Sequence, residues 1–518
     1  MRSAQMNSAQ KTESAVTFFR AGDFRRAKEI CEAILADKPR HTQARHLLAV
    51  IAFELGKPDE GISHFETLAA ISPDHPGVHA DLAKALASAG RIDEAIAAFR
   101  VALSIVPEDV SLLNNLGSLL AGQGELSEAV SSFEAAVEAN DRLPVSHYNL
   151  AKALRDSGDP QRAIQHYKRT LELDPGFATA WRNLGNLYLD VGEVDLAAEA
   201  YEKGVRIKWS PEAKKPPDQS HLKTSRSKLQ HDIEQLAFLL ENGKVDRKFE
   251  QVLSDYRAVL DDLPVMEDGG SLVAVSAENQ KRLAPYFNRL IHWPQSPSLA
   301  GPAVNPDLDR AEIETAYFKN APGIVHVDDF LSPAALQEIR QFCLESTIWY
   351  RHHYKMGYVG AFMEDGFVSP LLLQIADELR NGFPRIFGAA TLRKLWGFKY
   401  DSRLSGIPVH ADFAAVNVNF WVTPDAANRD PQSGGLVVWD KEAPLDWDFA
   451  TYNADEQAMR RFLTESGAKA HNIPYRENRM VMFNSDLIHE TGELNFEEGY
   501  ENRRVNVTML YGKRENAG

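Results

Sequence analysis

Ile407-Pro408-Val409-His410-Ala411-Asp412 follows the extended run Leu395-Trp396-Gly397-Phe398-Lys399-Tyr400 across a Gly/Ser turn, and reading this stretch as strand decides the C-terminal half of the chain. Residues i and i+2 of a strand point to one side, so the His410 imidazole and the Asp412 carboxylate can face a single interior. In a helix the same spacing diverges by about 200° around the axis. The distinction matters because His-x-Asp occurs three times, at His79-Ala80-Asp81, His326-Val327-Asp328 and His410-Ala411-Asp412. The first copy lies in a strongly helical stretch and reads as helix surface. The second, in Gly323-Ile324-Val325-His326-Val327-Asp328, is a short strand running into a helix, with no second histidine placed soon after it. The third is followed by β-rich pieces at 416–422, 433–439, 479–484 and 504–511, separated by turn residues, which is the pattern of a jelly roll.

His489 sits just beyond residues 480–484, and Arg504 follows it by 15 residues in Arg503-Arg504-Val505-Asn506-Val507-Thr508. Two imidazoles and one carboxylate form a three-ligand face on an octahedral metal and leave three adjacent positions for a chelating cosubstrate and dioxygen. A basic residue after the second histidine suits the far carboxylate of that cosubstrate. On these residues, 321–514 resembles the 2-oxoglutarate/Fe(II) dioxygenase superfamily, particularly its prolyl-4-hydroxylase-like branch. The resemblance implies a double-stranded β-helix (jelly-roll) oxygenase domain with flanking helices. It implies His410, Asp412 and His489 as the iron ligands and Arg504 as the anchor of the 2-oxoglutarate distal carboxylate. It further implies that the Tyr400 hydroxyl contacts 2-oxoglutarate and that Gly434-Gly435 opens a following strand. The chemistry implied is O2-dependent decarboxylation of 2-oxoglutarate to succinate and carbon dioxide, coupled to oxidation of an unactivated C–H bond.

Arg503 and Arg504 are adjacent, so in a strand only one of them enters the interior. Arg504 is preferred because Asn506 and Thr508 then share its face as a polar row, while Val505 and Val507 pack outward; Arg503 is the fallback. Asn417, Asn419 and Trp421 likewise share a face. Asn419 is the candidate donor to the cosubstrate or the metal ligands, with Asn417 and Asn506 beside it. His352 and His353 read as a substrate-facing loop or solvated surface rather than as a second metal site. The plainer alternative for the whole set is a zinc-bearing or metal-free binding barrel with Arg504 as a surface cation.

The N-terminal half repeats every 34 residues, six times, from Ser8, Thr42, Pro76, Val110, Pro144 and Ala178. Position 15 of each repeat is glycine (Gly22, Gly56, Gly90, Gly124, Gly158, Gly192), which lets a helix end in the left-handed conformation and turn back. Position 20 is small, and position 24 carries Phe65, Phe99, Phe133, Tyr167 and Tyr201 after Cys31 in the first repeat. These are tetratricopeptide repeats, which stack into a superhelix with a concave binding surface. Asn115, Asn149 and Asn183 recur at position 6. Their column resembles the asparagine ladder of O-linked N-acetylglucosamine transferase and implies capture of an extended peptide backbone.

The reading is therefore a multidomain chain: an all-α tetratricopeptide superhelix at 8–211, a helical cap and linker at 212–320, and the oxygenase domain at 321–514. Residues 211–228 read as a linker, helices over 229–240 and 245–260 as a cap on the repeat array, and 278–293 as one further helix. The 518 residues carry a net charge of −16, which argues against broad electrostatic binding to nucleic acid. No stretch approaches a membrane span, the polar start lacks the apolar core of a secretion signal, and Cys31 and Cys343 fall in different modules, so a reducing cytoplasm is expected. The sequence expectation is an Fe(II)/2-oxoglutarate-dependent dioxygenase using O2 on a protein or peptide held by the repeats. The alternatives are the same chemistry on a small metabolite, with the repeats as an assembly module, and a non-catalytic scaffold.

Overall fold

The computed structural model describes residues 7–211, 222–266, 270–319, 323–352, 354, 356–401 and 406–513. The Gly/Ser turn expected after Tyr400, most of the linker at 211–228, and His353 fall outside these residues.

Twelve helices form six consecutive pairs among the described residues: α1 (Ser8–Arg20) and α2 (Phe24–Asp37), α3 (Thr42–Glu54) and α4 (Pro58–Ile71), α5 (Pro76–Ser88) and α6 (Ile92–Ile105), α7 (Val110–Gly122) and α8 (Leu126–Ala139), α9 (Pro144–Asp156) and α10 (Pro160–Leu173), α11 (Ala178–Asp190) and α12 (Val194–Trp209). The first helix of each pair starts at the residue from which the 34-residue period is counted. Every pair turns at the position-15 glycine, with φ between +71° and +85°, a conformation that a Cβ would strain. Position 20 is buried where it is alanine, at 0% exposure for Ala27, Ala95, Ala129, Ala163 and Ala197. At Gly117 an added Cβ would lie 2.8 Å from the Phe133 ring, so the aromatic at position 24 requires a small partner on the facing helix.

The chain divides into two compact units, residues 1–175 and 176–518. Five helix pairs make up the first. The sixth pair falls in the second unit, although the 34-residue period joins it to the five pairs before it. Two contacts tie its last turn into that unit. The Trp209 ring stacks on Tyr350 at 3.9 Å between centroids, and Lys208 Nζ donates to the buried Asp365 carboxylate at 2.8 Å.

Within the second unit, β1 (Lys223–Thr224) pairs with β2 (Val273–Ala274), and α13 (Arg226–Glu241) packs with α14 (Phe249–Asp262) through Leu229, Leu236, Val252, Tyr256 and Val259. The helix expected over 278–293 is the shorter α15 (Ala277–Leu283), followed by α16 (Arg310–Lys319), α17 (Pro333–Glu345) and α18 (Pro370–Gly382). The polar side of α13, read as part of a cap on the repeats, is bonded instead to the strand region. Gln235 Nε2 donates to the Tyr500 hydroxyl at 2.8 Å, and Arg503 Nε donates to Glu234 at 2.8 Å.

Two antiparallel sheets follow. β3 (Ile324–Val327), β4 (Val359–Phe362), β5 (Leu392–Tyr400), β6 (Val416–Trp421), β9 (Met480–Asn484) and β11 (Arg504–Tyr511) lie in the order β3-β9-β6-β11-β5-β4. β7 (Leu436–Glu442), β8 (Ala470–Ile473) and β10 (Leu487–Thr491) lie in the order β10-β7-β8. Every residue of β6 and β11 is buried, because one sheet face is covered while the other lines the interior that carries the polar row. The register sets that interior: Arg504 opposes Tyr400, Asn506 opposes both Phe398 and Trp421, Thr508 opposes Asn419, and Leu510 opposes Asn417.

Candidate metal centre

His410 and His489 meet through the backbone. Each amide donates to the other's carbonyl, at 2.9 Å from His410 N and 2.8 Å from His489 N, which brings the ring centroids to 4.3 Å. The Nδ1 atoms are tied to local carbonyls, His410 to Pro408 and His489 to Leu487, each at 2.9 Å. A carbonyl only accepts, so Nδ1 carries the proton in both rings and Nε2 keeps its lone pair, the tautomer a metal ligand requires. The ligand atoms of His410, Asp412 and His489 all lie within 4.8 Å of one another, and no other group of three such side chains does so among the described residues. Burial, reinforced by His489, pushes His410 down to about 4. Burial pushes the Asp412 carboxyl up, but the two imidazoles and the Asn417 amide outweigh it and hold the group below its ordinary range. The cluster therefore presents two imidazole Nε2 atoms and one carboxylate, a donor set that fits a divalent transition metal.

Asn417 Nδ2 donates to Asp412 Oδ2 at 2.6 Å. The sequence made Asn419 the candidate donor to the cosubstrate or the metal ligands; its Nδ2 donates to Asn417 Oδ1 at 2.6 Å, one step removed from Asp412. Asn506 Nδ2 and Thr508 Oγ1 donate to Asn419 Oδ1 at 2.9 and 2.7 Å.

Arg504 is 1% exposed. Its guanidinium lies 4.8 Å from the Tyr400 ring centroid and 5.5 Å from that of Trp421, and it donates to the carbonyls of Gly434 (2.5 Å) and Gly435 (3.3 Å). No carboxylate pairs with it among the described residues, and Nη1 has no partner. Trp421 Nε1, buried on the same sheet face, has none either. Burial pushes the Arg504 guanidinium below its usual value, with the Tyr400 and Tyr475 hydroxyls acting the other way. Burial likewise raises the Tyr400 phenol, opposed by Arg504 and Thr491. Gly435 admits no side chain, since a Cβ would fall 1.8 Å from the Ile473 carbonyl oxygen; the glycine pair lets bare backbone reach the guanidinium. This role of the two carbonyls is not visible in the sequence beyond the Gly434-Gly435 pair itself.

Arg503 points the other way, to Glu234 at 2.8 Å and Asp401 at 3.3 Å. His326 lies on an edge strand, and Asp328 is held by Arg479 and Arg476 at 2.5 and 2.6 Å, away from any histidine pair. His352, read as loop or solvated surface, is 7% exposed, with Nδ1 on the Tyr350 carbonyl and its ring against Phe287. Of the asparagine column, Asn149 Nδ2 is committed to Asn114 Oδ1 of the preceding repeat at 2.9 Å, Asn115 is half-buried, and Asn183 is buried.

Comparison with known families matches tetratricopeptide repeat models at residues 52–120, 108–176 and 148–210, and a model of anaphase-promoting complex, cyclosome, subunit 3 at residues 2–68. Similar solved structures include MamA from Desulfovibrio magneticus, at 20% identity over 32% of this chain and 94% of that one, with a TM-score of 0.31. PilF of Pseudomonas aeruginosa matches at 20% identity over 39% and 91%, with a TM-score of 0.33. A thermophilic tetratricopeptide protein of Thermus thermophilus matches at 22% over 35% and 100%, with a TM-score of 0.27. No curated protein matches the chain significantly. The N-terminal helix pairs are tetratricopeptide repeats, a class of protein-interaction module. No helix among the described residues is long and apolar enough to cross a membrane.

Proposed function

We propose that the C-terminal unit is an Fe(II)- and 2-oxoglutarate-dependent dioxygenase with a jelly-roll core, oxidising a protein or peptide bound by the repeats. The observation that carries the reading is Arg504. A buried, uncompensated cation costs several kcal/mol, so a fold that keeps one has a use for it. Its free Nη1 lies on the sheet face whose polar row leads to the ligand cluster, and a carboxylate is the anion whose planar geometry suits a guanidinium.

His410, Asp412 and His489 would hold the iron, which when bound supplies activation of dioxygen and a chelation site for the 2-oxo acid. Arg504 would bind the distal carboxylate. Tyr400 flanks the guanidinium and closes the site on the β5 side, where Tyr358, Phe398, Trp396 and Phe362 form an aromatic wall. Water excluded by that wall strengthens the ionic contact of Arg504 with its anion. Tyr354, Met356, Phe362 and Trp396 are partly exposed parts of the same cluster and would meet the substrate.

A cavity of about 810 Å³ in the first unit supports the protein or peptide substrate. It is lined mainly by the first helices of the first three repeats, including Thr12, Gln43, His46 and Asp81, with Leu68 from α4. The test is succinate formation from 2-oxoglutarate with Fe(II), ascorbate and oxygen, run with peptide pools and with metabolite extracts. The expected result is turnover that depends on Fe(II) and is lost in His410→Ala and Asp412→Ala. Absence of both succinate and 2-oxoglutarate binding would leave a non-catalytic interaction scaffold. Equal metabolite oxidation with and without residues 1–175 would remove the peptide from the proposal.

A further inference from the structure

We infer that Asn417 is a positioning residue for the metal centre, and that Asn419, Asn506 and Thr508 form a one-way chain of donors that orients its amide. The inference rests on the metal-centre reading given above. The four side chains are 0%, 4%, 6% and 3% exposed, so none of them exchanges its partner freely with bulk water.

The chain has a polarity, and Asp412 imposes it. An ionised carboxylate only accepts, so Asn417 must turn its NH2 to Asp412 Oδ2, at 2.6 Å. Its carbonyl oxygen then faces Asn419 and must receive a donor, which the Asn419 NH2 supplies at 2.6 Å. The Asn419 carbonyl oxygen is in turn left to accept, and it does so twice, from Asn506 Nδ2 at 2.9 Å and Thr508 Oγ1 at 2.7 Å. Every donor along the path is aimed toward Asp412, and buried hydrogen bonds aligned in this way strengthen one another. The arrangement fits an ionised Asp412 with one oxygen fixed by the protein, the state in which a carboxylate binds a metal. A protonated acid at Asp412 would have its own donor and no need of Asn417.

The chain also crosses strands. Asn417 and Asn419 belong to β6, while Asn506 and Thr508 belong to β11, in register with Trp421 and Asn419. A simple pin between strands would need only the Asn419, Asn506 and Thr508 contacts. The extension through Asn417 to a ligand of the cluster is what a pin leaves unexplained.

The experiment uses the full-length protein and Co(II) as probe, with the dissociation constant read from the visible absorption of the bound ion. Near-ultraviolet circular dichroism and thermal unfolding of the metal-free protein report the fold. Asn417→Leu keeps the branching of the asparagine side chain, with bulkier methyl ends, and removes its donor. It is expected to weaken Co(II) binding about 10- to 100-fold while the metal-free protein keeps a cooperative transition. Asn419→Leu leaves the Asn417 donor in place and removes the group that orients it, along with the acceptor of Asn506 and Thr508, so a smaller, several-fold weakening is expected. Should Asn417→Leu not fold, Asn419→Leu carries the test. Wild-type Co(II) affinity in whichever variant folds would overturn the inference, as would a loss of thermal stability with no change in affinity. If wild-type protein binds no Co(II), or binds it as well after His410→Ala, the metal-centre reading itself fails. Retention by Asn417→Leu alongside loss in His410→Ala refutes only the positioning role.

Discussion

Arg503 and Arg504 are neighbours with opposite electrostatic surroundings, and the difference is measurable. Arg503 pairs with Glu234 and Asp401, both largely buried, so Arg503→Met removes a cation from two carboxylates and is expected to cost about 3–5 kcal/mol of stability. Arg504 has no anionic partner among the described residues, so Arg504→Met is expected to leave the ligand-free melting temperature unchanged or raised. The same variant should bind 2-oxoglutarate weaker by about 2–5 kcal/mol, and thermal unfolding with and without the ligand reads both effects. Wild type should shift upward on adding 2-oxoglutarate with metal, while Arg504→Met should not. If Arg504→Met destabilises the ligand-free protein as much as Arg503→Met does, the guanidinium is structural and not a binding group. This contrast was legible in the sequence because strand periodicity puts adjacent residues on opposite faces. The choice between Asn417 and Asn419 was not, because both share one face. Which of them reaches Asp412 depends on where residues 412–415 enter β6, and side-chain alternation says nothing about that.

Helix α13 shows what periodicity leaves out. Lys228, His231 and Gln235 recur along it at helical spacing, and these polar residues are only 3%, 0% and 4% exposed. The sequence located the helix but not its partner, because a polar face that buries against another polar surface carries no apolar signature. The partner is the reverse side of the site: Gln235 bonds Tyr500, whose hydroxyl also receives Lys399 Nζ at 2.5 Å, and Lys399 and Arg503 flank Tyr400 and Arg504 in sequence. Burial pushes His231 down to about 3, although its bond to Asp232 acts the other way. The unfolded chain then binds a proton that the folded one refuses. Its contribution to stability is complete above the unfolded value of about 6.5 and is lost as pH falls toward 3. At about 1.4 kcal/mol per pH unit, one such group weakens the fold by about 2 kcal/mol between pH 7 and pH 5. His231→Gln cannot titrate and should lose about that much less than wild type in urea unfolding at the two pH values. Parallel losses in the two proteins would show that His231 is protonated in the folded state.

For the whole molecule, the 34-residue period revealed six helix pairs but not which hydrophobic core the last of them joins. A repeat motif records how two helices of a pair pack on each other, and α11 with α12 satisfies it as the earlier pairs do. What sets α12 apart is its end: it runs 16 residues against 14 for α10, and the two added residues, Lys208 and Trp209, reach Asp365 and Tyr350. Cutting the chain after residue 211, where the repeat period ends, would strip Trp209 from Tyr350 and leave Asp365, at 0% exposure, with Arg351 as its remaining cation. Residues 176–518 are therefore expected to be soluble with one cooperative thermal transition, and residues 212–518 to aggregate or melt without cooperativity. In the intact chain Trp209→Ala should cost about 3–5 kcal/mol, as removal of a buried indole generally does. It should also lower the melting temperature of the transition of residues 176–518, leaving unchanged any transition that residues 1–175 show alone. Equal stability of the 212–518 and 176–518 fragments would instead place the boundary where the repeat period ends.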